Sequence, residues 1–191
     1  MRIAFFSEVY WPMVSGVANT LHGLATRLEA GGHAVRVYSA TYPLAGRPDG
    51  REVHRSVSRP FLLSPEVQWA FPDQGAIRAD LARFAPDLVH LVTEFAMGNA
   101  GLQAARTLGV PMIASAHTDY ERYAARYGVA WAVRPGWSYL RWFYRHAHRV
   151  LAPSRVYQRH LHARGIAHTG IWARGVERVD RKLMPSPSPF T

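Results

Sequence analysis

A doubly wound parallel α/β sheet, with helices on both of its faces, is the fold class predicted by three features of this sequence. Short apolar runs without strict alternation recur along the chain, as strands buried on both faces require. Segments with apolar residues at helical spacing lie between them. Strand and helix then alternate in the rhythm of βαβ units, which build a parallel sheet covered on both sides.

The elements follow in order. Arg2-Ile-Ala-Phe-Phe-Ser7 is the first strand; Pro12 and Gly16 interrupt the pattern, and Val17 to Leu28 repeats apolar residues as a helix does. Gly31-Gly32 stops that helix, and Val35 to Ala40 is a second buried strand. Tyr42 to Gly50, with its prolines and glycines, is expected as a mobile loop, and Val53 to Val57 as a short third strand. Pro60 to Pro72 is apolar but punctuated by proline, which predicts irregular structure packed on the domain. Ala76 to Phe84 reads as a helix ended by Pro86, Asp87 to Val92 as a fourth strand, and Ala100 to Leu108 as a helix closed by Gly109. Pro111 to Ala116 is a fifth strand, followed by helical segments around Asp119 to Arg126 and Trp137 to His148. Arg149 to Ala152 makes a sixth strand, Ser154 caps a helix to about Arg164, and Thr169 to Trp172 is a short last strand.

Composition bounds the rest. The chain has 191 residues, of which 48% are hydrophobic, enough for one well-packed domain. With no cysteine, a disulfide framework, a thiolate nucleophile and a cysteine-ligated metal are excluded, and a reducing compartment is expected. No apolar run approaches bilayer-spanning length and the N-terminus lacks the order of a secretory signal, so a cytoplasmic protein, soluble or peripheral on a membrane, is expected. The formal charge of +10 is carried by arginine, with Lys182 the single lysine, and basic residues are dense from Arg122 to Lys182. Such a half meets an anionic membrane surface or nucleic acid, or is an ordinary solvated face; between the two partners the membrane ranks higher.

Ligands of doubly wound sheets bind at the carboxyl ends of the strands, where strand order reverses. The polar residues expected there are Glu8 and Ser15-Gly16 after the first strand, Thr93-Glu94 after the fourth, His117-Thr118-Asp119 after the fifth and Ser154 after the sixth. Ser15-Gly16 precedes a helix whose first N–H groups lack partners, a place for a phosphate or carboxylate, although a glycine there also serves turn geometry alone. A dinucleotide site is disfavoured, because the turn lacks three glycines and Val35 to Ala40 ends without an acidic residue. Metal is not expected: His146 with His148, and His160 with His162, are two apart, and no His-Glu-x-x-His occurs. The aromatic-basic run from Trp131 to His148 has two readings, a core helix with a solvated face or an interfacial helix placing Trp137, Arg141, Trp142 and Arg145 at an anionic leaflet.

The segment Ala116-His117-Thr118-Asp119-Tyr120-Glu-Arg-Tyr123, followed by Arg126-Tyr127-Gly128 and Arg174-Gly175-Val176, resembles the N-terminal domain of family 4 glycosyltransferases of the GT-B fold, in particular GDP-mannose-dependent and related glycolipid-forming hexosyltransferases. Pro12 with Ser15-Gly16-Val17 and Asn19, Thr93-Glu94 with Gly98, and Ala152-Pro153-Ser154 support it, in family order from Arg2 to about Glu177. The resemblance implies a single Rossmann-like half-domain over 1–177, a Pro/Ser tail over 178–191 expected to be disordered, and a C-terminal donor-binding domain absent from this chain, supplied as a separate partner if the enzyme is split. It implies that Gly16 lies beside the donor phosphate, that His117 hydrogen-bonds the transferred sugar as the catalytic residue, and that Arg174 lies near the cleft. Ser15 and Asn19 join the substrate-binding set, and Glu94 and Asp119 follow as rim residues near the acceptor or as helix caps. The implied reaction is retaining transfer of a hexose, mannose favoured, from a nucleotide sugar such as GDP-mannose to a lipid or glycan, with no metal or other cofactor and no nucleic acid. Positioning and electrostatics carry such chemistry, and it needs no protein nucleophile. The alternative is a non-catalytic basic module that docks on an anionic membrane or nucleic acid; steep salt dependence and base-stacking platforms would mark the nucleic-acid form.

Overall fold

The computed structural model describes residues 1–13, 15–43, 51–61, 64–117 and 120–173, with 64–66, 123 and 126 as backbone alone. Residues 44–50 of the loop expected from Tyr42 to Gly50, and the tail over 178–191, lie outside them. The chain runs β1 (Arg2–Ser7), α1 (Gly16–Ala30), β2 (Ala34–Ala40), β3 (Val53–Ser56), β4 (Ser58–Phe61), β5 (Ser64–Ala70), α2 (Gln74–Phe84), β6 (Leu88–Leu91) and α3 (Ala96–Leu108). It continues through β7 (Met112–Ser115), α4 (Tyr120–Arg126), a 3-10 turn at Ala130–Ala132, α5 (Val133–Tyr144), β8 (Arg149–Ala152), α6 (Arg155–His162) and β9 (Thr169–Ile171).

Seven strands pair in the order β3-β2-β1-β6-β7-β8-β9, every pair parallel. The order reverses between β1 and β6, with Phe5 opposite Val37 on one side and His90 on the other. This is the expected Rossmann-like, doubly wound sheet. Alternate residues of β1 serve its two faces: Ala4 and Phe6 join the core under α2, α3, α5 and α6, while Ile3 and Phe5 join a smaller cluster with Leu21 of α1. Phe5 and Phe6 are 1% and 0% exposed, and each such burial contributes roughly 1.5–3 kcal/mol. Two glycines let α3 lie close to the sheet. A Cβ on Gly98 would stand 1.7 Å from the Thr93 carbonyl oxygen, and one on Gly101 would stand 2.4 Å from the Phe6 ring.

Three elements depart from their sequence signals. The stretch expected to be irregular is an antiparallel ribbon, β4 with β5, in which Pro60 faces Gln68 and the register shifts between Pro60 and Phe61. A two-stranded ribbon has no interior strand, so a proline's missing N–H is tolerated there. α3 begins a turn before Ala100 because its N-terminus is held from far away: the Met97 N–H donates to the Glu8 carboxylate at 2.8 Å. α5 begins at Val133, ahead of the expected Trp137, with Pro135 tolerated in its first turn, and ends at Tyr144 rather than His148.

Candidate functional site

The carboxyl ends of β1, β6, β7, β8 and β9 make one rim, and each strand delivers a polar or aromatic residue to it. At the N-terminus of α1, Ser15 acts as the cap, its hydroxyl accepting the Ala18 N–H at 3.1 Å. Gly16 is the exposed first residue of the helix. One turn on, exposed Asn19 accepts a hydrogen bond from the Trp11 indole at 3.2 Å. Trp11 in turn stacks on His22, ring centroids 4.3 Å apart. Trp11, Asn19, His22 and Arg27 form one wall of a cleft of about 420 Å³ beside the start of α1, with Trp172, just past β9, on its other side.

His117, two residues past β7, is half-buried, and its ring meets Trp172 edge to face with centroids 5.7 Å apart. Trp172 also packs at 5.7 Å on His90, whose Nε2 lies 2.6 Å from the Ser115 hydroxyl. Complete burial, together with His117 nearby, pushes the His90 imidazole down to about 3, so it stays neutral at physiological pH. Trp172 therefore links His117 to the cleft beside Asn19. Asp119 and Arg174 lie outside the described residues.

Glu94 is placed differently from an open rim residue. It is 2% exposed, and its carboxylate accepts the hydroxyls of Tyr120 and Tyr144, while Tyr139 donates to its carbonyl oxygen. Nor does it cap α3: the cap position is Phe95, and the carboxylate that reaches the helix N-terminus belongs to Glu8. Glu8, equally 2% exposed, also accepts the Ala70 N–H at 3.1 Å and thereby ties the end of β5 to α3. The two acids follow the strands on either side of the reversal, and one holds the ribbon and α3 while the other holds α4 and α5.

Burial pushes both carboxyls up to about 7, against the pull of Met97 and Ala70 on Glu8 and of Tyr120 and Tyr144 on Glu94. A carboxyl with a raised folded value binds its proton more tightly folded than unfolded. Its contribution is therefore greatest below the ordinary value of 4.5 and is lost as pH rises to about 7. Each group contributes up to roughly 3 kcal/mol across that window. The thermal midpoint, followed by calorimetry, is expected to be several degrees higher at pH 5 than at pH 8. A Glu8→Gln, Glu94→Gln double variant should lose that slope and leave the opposite one set by His90, whose imidazole is held neutral and therefore costs stability below its ordinary 6.5. An unchanged slope in the double variant would remove the two acids as its source.

Among the residues expected at an anionic leaflet, Trp137 is only 6% exposed. Its indole N–H donates to Glu121 at 2.9 Å and the Arg164 guanidinium covers its ring at 4.7 Å, so it faces the core and not a bilayer. Trp142 is half-buried against the main core, whereas Arg141 and Arg145 are exposed. Among the described residues no helix is long and apolar enough to cross a membrane.

Sequence reasoning missed Trp172 and His90. Both carried a readable signal: Trp172 is the first residue past a short strand on the carboxyl rim, and His90 is a polar residue in an otherwise apolar strand.

A parallel sheet whose order reverses between β1 and β6, covered by helices on both faces, defines the doubly wound α/β class. Residues 14–178 match the Glycosyltransferase Family 4 model, and the chain belongs to that family. It is 37% identical over 182 residues to a GDP-mannose-dependent alpha-mannosyltransferase of Mycobacterium tuberculosis, covering 93% of this chain and 48% of the relative. It is 33% identical over 158 residues to an alpha-monoglucosyldiacylglycerol synthase of Streptococcus pneumoniae, covering 82% of this chain and 36% of that one. The chain thus spans about half the length, or less, of the curated relatives it matches. Among solved structures it superposes on sucrose-phosphate synthase from Thermosynechococcus elongatus with a TM-score of 0.66 at 14% identity, over 92% of this chain and 48% of that one. That likeness supports the fold.

Proposed function

We propose that this domain is the acceptor-side wall of a retaining hexosyltransferase that moves a sugar, mannose favoured, from a nucleotide sugar to a lipid or glycan. The observation that carries the proposal is His117. In a chain of this family it stands past β7, at the rim that also holds Gly16 and Asn19, and Trp172 joins it to the cleft. An imidazole held there by packing can hydrogen-bond a sugar hydroxyl without first being ordered. Gly16, with no side chain at the start of α1, lets a diphosphate approach the backbone of the first turn and the positive end of the helix dipole. Stabilising the leaving diphosphate while the acceptor hydroxyl is held on the same face of the sugar supplies the catalysis, and no metal is invoked. The second wall comes from the half of the relatives that this chain does not span, so the chain by itself binds donor too weakly to turn it over.

The proposal is tested at Gly16. In a protein joined to the second half of the mycobacterial relative, Gly16→Val is expected to abolish transfer from GDP-mannose or UDP-glucose. The thermal midpoint should move by no more than about 2 °C, because the residue is exposed at a helix start. Transfer retained with a large loss of stability would assign Gly16 to backbone geometry alone.

A further inference from the structure

The segment that carries His117 is fixed from two sides. Just before it, the Ala116 N–H donates to the Leu151 carbonyl at 2.9 Å, so the chain leaves β7 still paired with β8. Three residues after it, Tyr120 opens α4 and sends its hydroxyl to the Glu94 carboxylate past the end of β6. Three residues span at most about 11 Å, so a displacement of Tyr120 is passed on to His117. Glu94 itself is held independently of α4: Tyr144 of α5 donates to its other carboxylate oxygen, and Tyr139 donates to its backbone carbonyl. Phe95 packs edge to face on the Tyr120 ring with centroids 6.1 Å apart, which places the ring; the hydroxyl bond then sets how far α4 stands from β6. Apolar side chains would join β6, α4 and α5 without the cost of a buried acid, whose carboxyl is pushed up to about 7 by that burial. What the bonds from hydroxyl to carboxylate add is a fixed distance and direction.

We infer that Glu94 is a positioning residue for the chemistry at His117: by holding the Tyr120 hydroxyl it sets where α4 begins, and so where the imidazole stands against Trp172. Its carboxylate is buried beneath the rim, and it acts through Tyr120. Glu121, the next residue, grips the same helix from the opposite side. It accepts the Trp137 indole N–H at 2.9 Å and the Arg164 Nε–H at 3.0 Å, which ties α4 to α5 and to the turn after α6. The helix that follows His117 is thus held at its first two residues, and the Tyr120 bond is the one that refers it to the end of β6. Such precision matters at a reacting centre, where a misplacement of about 1 Å costs on the order of 100-fold in rate. The effect on catalysis rests on the proposed function, whereas the placement of His117 by Glu94 does not, and two readouts keep them apart.

The test compares Tyr120→Phe with Tyr144→Phe, two changes that each take one hydroxyl from the same carboxylate and keep the ring. An acid that only holds the fold together would make the two alike in stability, with neither reaching His117. In NMR spectra of the whole chain, Tyr120→Phe is expected to shift the His117 ring Cε1–H and the Trp172 indole N–H signals, and Tyr144→Phe to leave them in place. In the domain joined to the second half of the mycobacterial relative, Tyr120→Phe should lower kcat about tenfold or more with the donor KM within about twofold, while Tyr144→Phe keeps both within about twofold. Should Tyr120→Phe fail to fold, the triple variant Glu94→Met, Tyr120→Phe, Tyr144→Phe replaces it and should shift the same two signals, since removing the carboxylate with both of its donors leaves none of them buried without a partner. Unmoved signals in a folded Tyr120→Phe or triple variant would overturn the inference, as would equal shifts from Tyr144→Phe, or an unchanged kcat for Tyr120→Phe in a joined protein that transfers sugar. A joined protein that transfers nothing, with the signals moved as expected, would count against the proposed function and leave the placement of His117 by Glu94 standing.

Discussion

Replacing His117 by alanine is expected to lower turnover by about 100-fold or more, the scale of losing one preorganised hydrogen bond at a centre where charge develops. The assay is sugar transfer by the domain joined to the second half of a relative. Losing the edge-to-face contact with Trp172, worth about 1 kcal/mol, should move the thermal midpoint by only a few degrees, far less than the effect on turnover. A large fall in both turnover and stability would make His117 a packing residue. Turnover within a few-fold of the parent would remove it from the reaction. His90 provides the contrast: buried and held neutral beneath Trp172, it is expected to affect stability more than chemistry when changed to alanine.

The second large effect is structural and lies at Gly98. An alanine there brings its Cβ to 1.7 Å from the Thr93 carbonyl oxygen and 2.8 Å from the carbonyl carbon, both backbone atoms at the end of β6 that cannot swing aside. α3 would have to lift from the sheet, and with it the N-terminus that Glu8 holds. A cost of about 3 kcal/mol is expected, or a fall of roughly 6–12 °C in the thermal midpoint of a domain this size. Gly23 is the control, since a Cβ there meets nothing within 4 Å and alanine favours the helix. Equal midpoints for Gly98→Ala and Gly23→Ala, measured by calorimetry, would contradict the close packing of α3.

What the sequence disclosed follows from the range of each signal. Strands β1, β2, β6, β7 and β8 were legible as short apolar runs, and Ser15, Gly32 and Gly109 mark helix ends through bonds that span only a few residues. The start of α3 was not legible, because the carboxylate that completes it lies 89 residues away, and no local pattern records such a partner. Glu94 shows the same limit in reverse. Its position after β6 reads as a rim acid or a helix cap, but Tyr144, fifty residues later, comes back to bury it. The ribbon was hidden by Pro60 and Pro65, which signal irregularity in an ordinary sheet and are harmless in a pair of strands with two free edges. Of the candidate site, the rim and His117 were readable from strand ends. The indole that joins them, Trp172, required knowing that β9 pairs with β8 and so brings its end to the same cleft.

On the proposed function, this domain is one wall of a hexosyltransferase cleft and needs the other to work. The most direct measurement is transfer of radiolabel from GDP-mannose or UDP-glucose into a lipid extract, run in parallel with the domain alone and with the domain joined to the second half of the mycobacterial relative. Labelled lipid from the joined protein, with none from the domain alone and no micromolar donor binding to it by calorimetry, is the expected result. Product formation or micromolar donor binding by the domain alone would contradict the account, as would a folded joined protein that transfers neither sugar.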